Sequence, residues 1–144
     1  MSETNRMFNL YMEIAEFLHS GGGPYAVMDG LTLDNLIESL YSGQYILHRD
    51  PAGKIKSFCN YWLIEPEDVS DVKNGKTPPD VNAGTVVMVL DHVNRAGHAG
   101  LYDIIQELRQ RHPNIKGAAW FHKRAIPEQF RYFPSQRGAN GQKQ

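Results

Sequence analysis

The sequence predicts a single α/β domain with a mixed central sheet flanked by helices, and two patterns carry that reading. Gln44–Arg49 and Lys54–Ile64 are rich in aromatic and branched residues and are joined by the turn residues Asp50-Pro-Ala-Gly53, which spells an antiparallel hairpin. Thr85–Leu90 is an apolar run that reaches Asp91, crosses a glycine-punctuated loop and re-emerges as a helical pattern. Ile115–His122 then reads as a further strand. Strand, helix and strand in this order imply a right-handed crossover or a neighbouring splayed strand. At 144 residues, 41% of them hydrophobic, the chain has enough for one core and little for two.

The first element is a helix, because Met7, Leu10, Tyr11, Ile14, Phe17 and Leu18 fall on one face, with Asn9, Glu13 and Glu16 opposite. His19-Ser-Gly-Gly-Gly-Pro24 stops it: three glycines are costly to hold in a helix, and Pro24 turns Gly23 away from helical angles. A mobile loop of about ten residues is expected to follow. Thr32 can cap a second helix whose buried stripe is Leu33, Leu36, Ile37, Leu40 and Tyr41, and Gly43 ends it.

After the hairpin, Glu65–Gly84 is polar, dense in Pro, Gly, Asn and Asp, and reads as a long surface loop. Its acids lack the alternating ligands, central glycine and terminal glutamate of an EF-hand, so no metal site is read there. The helix after Asp91 shows Leu101, Ile104, Ile105 and Leu108 at helical spacing, and Pro113 interrupts it. Glu128–Phe133 can add a last short strand before a frayed tail, SQRGANGQKQ.

Charge and cysteine usage exclude several classes. Lys and Arg number 15 against 16 Asp and Glu, which makes no overall electrostatic case for nucleic-acid binding. A local basic cluster of His122, Lys123, Arg124, Arg131 and Arg137 can meet an acidic partner or stand as a solvated strand edge. Cys59, the one cysteine, excludes an intramolecular disulfide and a multi-cysteine zinc site. The amino-terminal stretch carries acids within its apolar pattern, unlike a signal peptide, and no run approaches membrane-spanning length. The expectation is a cytoplasmic protein without a membrane span.

The segment Asn94, Arg95, Gly97, His98, Ala99 and Gly100 precedes the helix opened near Leu101. Its backbone N–H groups and the positive end of the helix dipole point to an anion or pyrophosphate seat. Gly97 and Gly100 also suit any tight turn. Trp62, Tyr61, Trp120 and Phe121 fit core packing or the lining of an acyl chain.

This element order resembles the GNAT acetyltransferase fold, in which a strand ends at a loop that holds an acyl donor's pyrophosphate or phosphopantetheine at a helix N-terminus. That family's loop reads Gln or Arg, two residues, Gly, one residue, Gly or Ala. Here Asn94-Arg-Ala-Gly97-His-Ala99 matches at Gly97 and Ala99, with Asn94 in first position. A closer resemblance is to the toxin-activating lysine acyltransferases, a GNAT-like family. It is carried by Gly43-Gln-Tyr45, Arg49-Asp50, the Cys59 and Trp62 pair, and by Asp91, Gly97, Gly100-Leu-Tyr102 and Arg111-His-Pro113 in their order. It covers about Gly43–His122. The chain is longer than the family between His19 and Gln44, and it is shortened after His122, so the fold is expected to be truncated at its C-terminal end.

The resemblance implies acyl transfer from acyl carrier protein or acyl-CoA to a protein lysine, with no tightly bound cofactor and a catalytic Asp91–His19 pair. A homodimer would complete the shortened sheet edge. Lysine acylation needs a deprotonated amine and therefore a base. Imidazole, titrating at about 6.5, suits that task, and His92 and His98 are further candidates. Other readings fit the same residues. Asp91 equally satisfies N–H groups of a polar turn, His19 equally caps a helix end, and Cys59 within an apolar strand fits a buried thiol. A catalytically inactive GNAT-like module that binds a protein partner remains the second functional reading.

Overall fold

The computed structural model describes residues 2–123 and 127–134; Arg124, Arg137 and the proposed tail over 135–144 lie outside the described residues. Helix α1 (Glu3–Ser20) begins where the Ser2 hydroxyl accepts the Asn5 N–H at 3.2 Å and turns Ile14, Phe17 and Leu18 inward. A single 3-10 turn (Gly23–Tyr25) follows, so the expected loop is partly ordered around Pro24. Helix α2 (Gly30–Ser42) is capped by Asp29, not Thr32. The Asp29 residue is extended and its carboxylate accepts the Thr32 N–H at 2.8 Å, which starts the helix earlier than the apolar pattern shows. Gly43, at φ 77°, closes it in the left-handed region. Its core stripe is narrower than expected: Leu36 and Leu40 are buried, while Ile37 and Tyr41 are exposed.

Strands β1 (Tyr45–Arg49) and β2 (Ile55–Ile64) form the expected antiparallel hairpin, with Tyr45 opposite Asn60 and His48 opposite Ser57. The turn is held by the Asp50 N–H donating to the Lys54 carbonyl at 2.8 Å and the Lys54 N–H donating to the Asp50 side chain at 3.0 Å. Arg49 forks onto the Glu13 carboxylate and so ties β1 to α1.

Glu65–Gly84 is not wholly loop. Pro66–Asp68 makes a 3-10 turn with a Glu65–Asp68 capping box, and α3 (Val69–Lys73) follows. Val69 and Val72, three apart, are buried; a single apolar pair is too sparse a signal to stand out in so polar a stretch. Strand β3 (Val86–Asn94) then leads to α4 (Gly97–Arg111), β4 (Gly117–His122) and β5 (Gln129–Pro134). The sheet order is β1-β2-β3-β4-β5. Strands β3 and β4 are parallel, Val86–Val89 facing Gly117–Trp120, and β4 and β5 are antiparallel, which makes the sheet mixed.

The strand–helix junction differs from expectation in its bounds. Strand β3 runs past Asp91 to Asn94, and Gly97–Gly100 form the first turn of α4, leaving Arg95 and Ala96 as the connection. In α4, Gly100 and Ile104 are buried while Leu101 and Ile105 are exposed, because the small Gly100 brings the other face of the helix inward. No helix among the described residues is long and apolar enough to cross a membrane.

The chain divides into two compact units. The first, Met1–Asn60 with Asp91–Ile104, has a core of Ile14, Phe17, Leu18, Tyr25, Leu36, Leu40 and Phe58. The second, Tyr61–Leu90 with Ile105–Gln144, has a core of Ile64, Val69, Val72, Val86, Met88 and Ala119. In the second unit the Tyr61 hydroxyl meets His112 Nε2 at 2.8 Å, ring edge to ring face. Burial, reinforced by the Arg111 charge, holds the His112 imidazole below its ordinary range.

Two outcomes are expected here. A methyl group at Gly84 would overlap the Ile64 carbonyl, which is backbone and cannot swing aside. Gly84→Ala should therefore lower the unfolding free energy by about 1–3 kcal/mol, read from the urea midpoint. Because His112 is harder to protonate in the folded chain, its contribution to stability is complete above pH 6.5 and is lost as pH falls below that value. His112→Gln should flatten the acid side of the stability–pH curve, a difference visible in urea titrations at successive pH values.

Candidate functional site

The polar residues of the first unit converge on Asp91. This carboxylate lies on β3 and is 2% exposed. Alternation along the strand puts its neighbour His92 at the surface, on the opposite face as the strand period requires. A buried carboxylate is costly unless donors surround it. The Tyr25 hydroxyl donates to Asp91 Oδ1 at 2.9 Å, and the Asp91 N–H donates to Asn60 Oδ1 at 2.9 Å. Asn60 in turn donates from Nδ2 to Ser39 Oγ at 3.2 Å, and the Ser39 hydroxyl donates to the Leu36 carbonyl. A continuous polar chain thus runs from α2 through β2 and β3 to the 3-10 turn. Among the described residues, no buried side-chain nitrogen or oxygen lacks a partner.

Burial, with the adjacent Asp91 charge, holds the Tyr25 phenol far above its ordinary range, so it stays protonated and acts as donor. The same two causes push the Cys59 thiol up to about 12. Cys59 is 1% exposed and is a neutral thiol at physiological pH, which fits the buried reading of this residue.

His19, at the end of α1, is exposed, and its Nδ1 lies 3.1 Å from the Tyr25 carbonyl oxygen. His19 and Asp91 are therefore both tied to Tyr25, one through its main chain and the other through its side chain.

The residues expected to seat a phosphate lie side by side, but their side chains have separate tasks. The Asn94 carboxamide oxygen accepts from the Ser57 hydroxyl at 2.8 Å and the Ala96 N–H at 3.0 Å, while its nitrogen donates to the Gly97 carbonyl at 2.8 Å. It clamps the connection to α4. Arg95 turns to the C-terminal end of α1, donating to the Phe17 carbonyl at 2.8 Å and the Ser20 hydroxyl at 3.2 Å, with its guanidinium 4.3 Å from the Phe17 ring centre. A cation there complements the negative helix end. Gly97 has φ +69°, and a side chain at Gly100 would strike Asn94 and Ala96, so both glycines are demanded by the junction itself. His98 and Ala99 are exposed in the first turn of α4, where N–H groups have no intrahelical acceptor.

Sequence reading missed Tyr25, Asn60 and Ser39. Asn60 left a trace: an amide within the run Phe58-Cys59-Asn60-Tyr61-Trp62 breaks an otherwise apolar strand. Ser39 likewise sits between Leu36 and Leu40 on the buried stripe. Tyr25 carried no such signal, because a tyrosine after a glycine loop is unremarkable in any surface segment.

Asn60→Ala should destabilise the chain by about 1–3 kcal/mol in urea unfolding, since it strips an acceptor from the Asp91 N–H and a donor from Ser39. Cys59 should resist thiol reagents in native buffer at mildly alkaline pH and react fully once urea unfolds the chain. No protein-family model matches this chain, and no curated protein matches it.

Proposed function

We propose that the chain is an acyltransferase of GNAT-like architecture. It would move an acyl group from a thioester donor, acyl carrier protein or acyl-CoA, to an amine, most simply a protein lysine. The observation that carries this reading is the Asp91 carboxylate, buried on the strand that runs straight into the glycine junction and α4, and hydrogen-bonded to the same short turn that holds His19. Polar groups gathered ahead of a helix N-terminus suit phosphate binding, because the first-turn N–H groups and the helix dipole favour an anion there. The sequence resemblance to the toxin-activating lysine acyltransferases supports the same assignment for Asp91 and His19.

In the proposed reaction the exposed His19 imidazole takes a proton from the acceptor amine as its nitrogen attacks the thioester carbonyl. A carbon–nitrogen bond forms, the carbon–sulfur bond breaks, and the donor leaves as a thiol after the proton returns to sulfur. Asp91 holds the Tyr25 hydroxyl and so steadies the turn that carries His19. The free N–H groups of the first turn of α4, about Gly97, His98 and Ala99, would hold the donor's phosphate. Arg95, drawn to α1, leaves that role to backbone.

Incubation with acyl-CoAs and acyl carrier protein, from acetyl to palmitoyl, should release free thiol and acylate lysine-containing acceptors. Asp91→Asn and His19→Ala should each lower the rate by about 100-fold or more while the thermal unfolding profile shows a retained fold. Absence of transfer and of donor-induced thermal stabilisation, with a protein partner bound equally by Asp91→Asn, would establish the inactive binding module instead.

A further inference from the structure

We propose that Tyr25 is the positioning residue of this site, setting the tautomer of His19 with its main chain and the orientation of Asp91 with its side chain. The first half follows from donor and acceptor chemistry. A carbonyl oxygen can only accept, so at 3.1 Å from the Tyr25 carbonyl the His19 Nδ1 must carry the proton. In the neutral ring the lone pair then resides on Nε2, the nitrogen that faces away from the turn. That is the atom able to take a proton from an incoming group.

The second half follows from the Tyr25 hydroxyl. It is held as a donor by burial and by Asp91, and it occupies one carboxylate oxygen at 2.9 Å. One residue therefore fixes both groups, and its own position is over-determined. Tyr25 is 6% exposed and belongs to the core with Phe17, Leu18 and Phe58. Its N–H donates to the Gly22 carbonyl at 3.2 Å, closing a 3-10 turn. Gly22 and Gly23 reach φ 65° and 60°, angles that side chains rarely adopt. The glycine-rich stretch after α1 is thus the device that swings Tyr25 back under the helix end, and it brings the carbonyl to His19 in the same movement.

The activity arm of this proposal rests on the acyltransferase reading, whereas its structural arm does not. Histidine labelled with 15N in the full chain, with His19 identified by its loss in His19→Gln, should show the Nδ1–H form of the neutral ring in long-range proton–nitrogen spectra. Tyr25→Phe keeps the carbonyl and should keep that tautomer. It should lower kcat by about 10-fold or more with KM little changed, because the lost hydroxyl orients Asp91 and takes no part in donor binding. Tyr25→Ala, which empties the core position and frees the turn, should in addition mix the His19 tautomers. A wild-type His19 in the Nε2–H form overturns the proposal, as does a Tyr25→Phe enzyme with wild-type kcat. A wild-type chain that transfers no acyl group sinks the proposed function alone, and the tautomer spectra of the wild type and Tyr25→Phe still decide the role of Tyr25.

Discussion

The polar chain of the first unit answers to one constraint: a carboxyl group has been placed where there is almost no water. Asp91 sits on a strand near Cys59 and is almost fully buried, and a polar group in such surroundings is tolerated only if hydrogen-bond partners replace its hydration. The partners of Asp91 come from separate parts of the chain, a donor to its carboxylate and an acceptor for its N–H. Tyr25 reaches it from the turn after α1, while Asn60 on β2 takes the Asp91 N–H and is itself held by Ser39 on α2. Loss of any one removes a partner from a buried polar group, which is more costly than the hydrogen bond alone would suggest. Asp91 thereby couples one helix, two strands and the glycine-rich turn.

The same coupling explains the form of the junction between β3 and α4. Asn94 spends both ends of its carboxamide on the connection, Gly97 adopts a left-handed angle, and Gly100 allows the first helical turn to close against Asn94 and Ala96. Arg95 reaches back to the end of α1, where a side chain at Gly21 would collide with its guanidinium. The turn carrying His19 and Tyr25 is thus held from the α4 side by Arg95 and from the β3 side by Asp91.

Much of the architecture was legible because it is written in local patterns. The hairpin announced itself through Asp50-Pro-Ala-Gly53 between two strand-like runs, and the β3–α4–β4 order through a continuous apolar run, a glycine loop and a helical apolar spacing. Element ends were less legible. Asp29 starts α2 before Thr32, since a cap depends on backbone angles as well as residue type, and α3 hides in a polar stretch with a single valine pair. The exposed Ile37, Tyr41, Leu101 and Ile105 show that helical spacing does not say how wide a stripe the core will cover.

The sequence by itself determined the α/β order, the hairpin and the glycine junction, because each depends on residues close together along the chain, and its resemblance to an acyltransferase family made Asp91 and His19 candidates. Tertiary structure alone decided what those candidates touch. The pairing of Tyr25 with Asp91 spans residues separated by most of the first unit's length, and the choice of Arg95 to serve α1 depends on where that helix ends. Neither can be read from spacing, because a hydrogen bond between distant residues is set by the packing that brings them within about 3 Å, not by their order in the chain.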